Sequence, residues 1–124
     1  MSALGIILIS GGHERAHYAL MVATAAAAIG RDVTIFATNA GTRALLAERP
    51  LEADPREAEV ASAGVAPLSA LREAAQELGV GLLVCDAGLA MEGLRGAALL
   101  PGVEVSGLVG FLSRIGAGAQ MLTL

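Results

Sequence analysis

Apolar residues in this chain fall into short aliphatic runs closed by glycine or small polar residues, alternating with longer segments of helical character. Leu4 to Ile9 is an unbroken aliphatic run that ends at Ser10-Gly11-Gly12, the pattern of a strand buried on both faces of a parallel sheet. From Glu14 to Ile29 the chain is rich in Ala, Leu, Met and Val, which predicts a helix stopped by Gly30. That helix is apolar nearly all round, so it needs cover on two sides. Asp32 to Ala37 is β-branched and apolar and predicts the second strand. Asn39 follows as a cap for a helix running to about Glu48, with Pro50 ending it.

Leu51 to Ala66 mixes Asp54, Pro55, Glu57 and Glu59, and reads as a surface excursion with one short helix. Leu68, Leu71, Ala75 and Leu78 then recur at helical spacing, predicting a helix over Ser69 to Leu78 that Gly79 terminates. The run Val80 to Val84 is the third strand and delivers Cys85 at its end. One or two helical turns are expected between Leu89 and Leu100. Pro101-Gly102 signals a turn before a short strand at Val103 to Val105, and a helix over Leu108 to Ile115 precedes a last strand within Ala119 to Leu124. The sum is a single α/β domain over residues 1–124, with about five mostly parallel strands and helices on both faces.

Composition sharpens this picture. Hydrophobic residues make up 55% of the 124 residues and aromatics only 2%, so Ala, Val, Leu and Ile must fill the core. With a mean hydropathy of +0.66, a domain this small cannot hide every aliphatic side chain, and the excess predicts a homo-oligomer. The longest apolar stretch, Ala19 to Ile29, is about half of a ~20-residue membrane span. No membrane association is expected. The start lacks the basic region of a signal peptide, which points to the cytoplasm. A net charge of -4 without a basic stripe excludes a general nucleic-acid binder. No cofactor is implied.

Chemistry centres on Cys85, the only cysteine, at the carboxyl end of a strand where α/β sheets form their ligand crevice. Amides of the turn that follows, around Gly88, would favour a thiolate, whereas the carboxylate of Asp86 opposes it but could move a proton once a partner binds. A free cysteine continuing an apolar strand is equally at home as an inert core residue. The loop Ser10-Gly11-Gly12-His13 lies on the same edge and could hold an anion, although it has neither a dinucleotide fingerprint nor a P-loop lysine. His13 and His17 are four apart on one helical face, a metal-compatible spacing, but without further ligands they read as exposed histidines at a helix start, and no metal site is expected. Ser10, Ser62, Ser69, Ser106 and Ser113 lie in no G-x-S-x-G elbow and have no recognisable histidine partner. The methionines, Met21 and Met91 among them, read as core fillers.

Several local stretches in order carry a wider resemblance. Glu14-Arg15-Ala16 leads into Tyr18-Ala19-Leu20 and then Asp32-Val33-Thr34-Ile35-Phe36; Cys85 is followed by Gly93-Leu94, Gly102-Val103-Glu104-Val105 and Gly107. This order resembles the DsrE/DsrF-like family of small sulfur-relay and related proteins over nearly the whole chain. The resemblance implies a flavodoxin-like fold, trimers or hexamers, and a persulfide carried on Cys85 between donor and acceptor proteins or small polysulfides. The sequence departs from relay members at Met91-Glu92, where they are more basic, and in the acidic stretch from Pro50 to Ala66. Two other functions stay open: a non-catalytic binding or regulatory module holding a small anion or nucleotide between Ser10–His13 and Asp86–Gly88, with Cys85 structural, and peroxide reduction through a sulfenate on Cys85.

Overall fold

A computed structural model describes all residues from Met1 to Leu124. Five strands form one parallel sheet: β1 (Leu4–Leu8), β2 (Val33–Ala37), β3 (Gly81–Cys85), β4 (Glu104–Ser106) and β5 (Gln120–Thr123). Their order is β4-β3-β2-β1-β5. The registers pair Ile6 with Ile35 and Leu122, and Cys85 with Ser106. The helices are α1 (His13–Ala28), α2 (Arg56–Ser62), α3 (Leu68–Glu77), α4 (Asp86–Met91) and α5 (Leu108–Ile115), with 3-10 segments at Asn39–Leu45 and Pro50–Ala53.

Strand order fixes which face each helix covers. From β1 to β4 the chain advances in one direction, and right-handed crossovers put α1 and α3 on the same face. The step from β4 back to β5 runs the opposite way, so the same handedness sends α5 to the other face. Alternation along each strand then divides the core in two. Ile6, Ile35, Leu82 and Val84 join Ala19, Leu20, Ala23 and Leu71 in a cluster of 22 buried residues. The second cluster is only Phe36, Leu83, Cys85, Phe111 and Ile115. Gly5 makes room for it, since a Cβ there would stand 2.8 Å from Ile115 and 2.9 Å from Phe111.

All five expected strands form, and the last helix matches residue for residue. Asn39 does not cap an α-helix; it takes φ 50° and opens a 3-10 segment that ends at Leu45. The cause is steric. Gly41 presses on the end of β1, where a Cβ would come within 2.1 Å of the Leu8 carbonyl oxygen, and its N–H donates to Ile9 O at 3.1 Å. The helix expected after Leu89 begins directly after Cys85 and ends at Met91. All four methionines are exposed, Met91 by 74%, which corrects their reading as core fillers. Small alanines on α1 let it approach the sheet and α3 closely, leaving no gap for a long thioether. No helix is long and apolar enough to cross a membrane.

Candidate functional site

Cys85 ends β3 with its side chain on the α5 face, packed among Phe36, Leu83, Phe111 and Ile115 and only 7% exposed. Phe36 and Phe111 stack above the sheet with centroids 4.8 Å apart and planes 14° apart. The backbone passes from Cys85 straight into α4, so Asp86 occupies that helix's first turn. Asp86 is surface-exposed and already paired: Arg95 Nη2 donates to its Oδ2 at 2.9 Å, and Arg95 Nε to Oδ1 at 3.3 Å. Gly88 is buried. A Cβ there would meet the Asn39 amide nitrogen at 2.5 Å and Thr38 Oγ1 at 2.6 Å, so the glycine lets α4 seat against the end of β2.

The two halves of the expected crevice are held apart by β2 and its continuation. Ser10, Gly11 and Gly12 follow β1, two strands from Cys85. The space between is filled by the Asn39–Leu45 segment: Gly11 abuts Ala40, with a Cβ placed 2.7 Å from Ala40 Cβ, and Gly88 abuts Thr38 from the other side. No cavity is lined by Ser10, Gly11, Gly12, His13, Cys85, Asp86 or Gly88.

His13 and His17 are buried, at 2% and 8% exposure, rather than displayed at the helix start. Their rings stack with centroids 5.6 Å apart. His13 Nε2 lies 2.8 Å from Glu57 Oε1, and His17 Nε2 lies 2.8 Å from the Ala66 carbonyl oxygen. Both partners accept, so both Nε2 atoms carry hydrogen. Both hydrogen-bond partners come from the Leu51–Ala66 stretch, to which the surface-excursion reading gave no structural role. Helix α3 starts after Pro67 with no side-chain cap of its own. Glu57 reaches across from α2 to supply one, accepting from Leu68 N at 2.8 Å and Ser69 N at 3.4 Å. Burial pushes the Glu57 carboxyl up, but the hydrogen bonds from His13, Leu68 and Ser69 and the field of His13 outweigh it and hold the group below the usual value of 4.5. The missing cap at Pro67 was the sequence signal that some remote acceptor must serve this helix; nothing in the sequence says it is Glu57.

The acidic departure at Glu92 is neutralised internally, Arg43 Nη1 donating to Glu92 Oε1 at 2.6 Å. A family model of the DsrE/DsrF-like family matches residues 3–124. The chain belongs to the DsrE/DsrF-like family. It is similar in fold to the YchN protein of E. coli, with TM-score 0.73, 21% identity and both chains covered in full. It is also similar to MTH1491, a protein of unknown function from Methanobacterium thermoautotrophicum, with TM-score 0.67, 16% identity and again full coverage of both chains. No curated protein matches the chain. At these identities the two solved structures speak to the fold alone.

Proposed function

We propose that this protein carries sulfane sulfur as a persulfide on Cys85. The observation that carries the reading is the placement, in a DsrE/DsrF-like chain, of the sole thiol at the carboxyl end of β3. In the loading step the Cys85 thiolate attacks a terminal sulfur of a polysulfide or donor persulfide; an S–S bond forms at Cys85 and the donor leaves as the shortened thiolate. In delivery an acceptor thiolate attacks the outer sulfur, and Cys85 leaves as thiolate. No net oxidant is consumed. A lone cysteine without a resolving partner suits such a carrier in a reducing compartment such as the cytoplasm.

Burial of Cys85 makes access the controlling step. Helix α5 is held to the sheet through Phe111 and Ile115, and its remaining apolar residues face outward: Val109 is 83% exposed, beside exposed Leu108 and Leu112. This apolar surface supports a homo-oligomer, in which the second copy would cover α5 and set how readily it lifts from Cys85.

Packing of Cys85 among Phe36 and Phe111, away from every cavity, favours a second reading in which the thiol is structural and the protein is a binding module. Intact mass after brief polysulfide treatment separates the two. A gain of one sulfur atom, removed by reductant and absent in Cys85→Ala, supports the carrier; no adduct under conditions that load a free thiol leaves the structural reading.

A further inference from the structure

The sheet reverses its strand order between β1 and β5, and the carboxyl ends flanking such a reversal are where α/β sheets bind ligands. Cys85 is two strands away from it. At the reversal lies a groove of about 740 Å³ between α1 and α2, reaching Leu124 at the end of β5. Its size is that of a small-molecule site. Met21, Val60, Val65 and Leu124 supply an apolar surface, and one buried polar residue is part of its lining.

That residue is His17. Its Nε2 donates to Ala66 O, which leaves Nδ1 with a lone pair in the neutral ring. Nδ1 has no partner in the chain, yet unlike Nδ1 of His13 it is not sealed from solvent, and His17 lines the groove while only 8% exposed. The ring is fixed by the Ala66 bond and by stacking on His13, so the acceptor is held in place before anything binds. Charges at the rim cancel. Arg56 faces Glu14 at 3.6 Å, and one further cation, Arg15, is matched by one further anion, Glu59.

We propose that this groove binds an uncharged amphipathic small molecule whose hydroxyl or N–H donates to His17 Nδ1 while its apolar body lies against Met21, Val60 and Val65. The balanced rim gives an ionised ligand no net attraction, and the unpaired lone pair selects for a donor. The site is independent of Cys85 and of any sulfur chemistry.

The test is an amide-resonance NMR titration of the full chain with indole and with N-methylindole, which has the same apolar body but no donor. Indole should shift resonances of Met21, Val60 and Val65 and bind about fivefold more tightly than N-methylindole, the worth of one hydrogen bond. His17→Leu should abolish that preference, and Val60→Trp, which fills the groove, should abolish binding of both probes even if His17→Leu fails to fold. Equal affinity of the two probes, or no shift at the groove, overturns the proposal. So does a change in sedimentation of Val60→Trp with indole binding intact, which would make the groove a contact between copies.

Discussion

If α5 gates the thiol, loosening α5 must expose Cys85 without loosening the rest of the protein. Phe111 is the residue to remove. It is fully buried, stacks on Phe36 at 4.8 Å, and sits over Gly5, where no side chain can expand into the vacated space. Phe111→Ala should therefore cost about 3–5 kcal/mol, the range for deleting a buried ring. Because α5 has only Ile115 as a second buried anchor, most of that loss should fall on local opening of α5. A loss of about 3 kcal/mol raises the open population about a hundredfold. The assay is the pseudo-first-order rate of Cys85 alkylation by iodoacetamide in native buffer, followed by intact mass. Leu20→Ala, a comparable deletion in the core on the opposite face, is the control. Phe111→Ala should accelerate alkylation by about two orders of magnitude, and Leu20→Ala should have little effect. Equal acceleration in both variants would mean that the thiol is reached through global unfolding, and the gate would be refuted.

Glu57 is held below 4.5, so its contribution to stability is fully present above that pH and is lost as pH falls through the depressed folded value. In Glu57→Gln, urea melts at neutral pH should show a loss of about 1–2 kcal/mol, and the stability decline below pH 4.5 should flatten. Gly88→Ala forces a Cβ to within 2.5 Å of the Asn39 nitrogen and should destabilise by about 1–3 kcal/mol in thermal melts, although the position is helical and alanine favours helix. Arg72, buried and bonded to Ala44 O and Glu52, should cost about 3–5 kcal/mol as Arg72→Ala because Glu52 loses its partner. Val109→Asp places a charge on the exposed apolar face of α5, and sedimentation should show a smaller species than the parent chain if that face joins copies.

Strands β1 and β3 were legible as aliphatic runs closed by a small or polar turn, β2 by its β-branched apolar residues, and β4 and β5 from the Pro101-Gly102 and Gly116/Gly118 breaks ahead of them, while helix α5 shows its whole apolar period within eight residues. The segment after β2 was misread because its fate depends on a close approach: Gly41 touches the Leu8 carbonyl, a contact made by a residue thirty-three positions away that no local pattern records. The histidines were misread for the same reason. Their helix start looks exposed in sequence, and the partners that hold them, Glu57 and Ala66, return from a distant, acidic stretch. Placement of Cys85 at a strand end followed from Val80 to Val84 alone. That it lies on the thinly covered face, and that β2 separates it from Ser10–His13, follows from strand order, which one sequence does not contain.

Handover of sulfur from Cys85 to an acceptor thiol is the step to observe. The protein is loaded with isotope-labelled polysulfide, desalted, and mixed with glutathione in a single turnover while intact mass and the small-molecule products are followed together. A persulfide carrier takes one labelled sulfur on Cys85, releases it quantitatively as glutathione persulfide, and returns to its starting mass. A chain that never takes up label, or that takes it up equally as Cys85→Ala, would contradict that role.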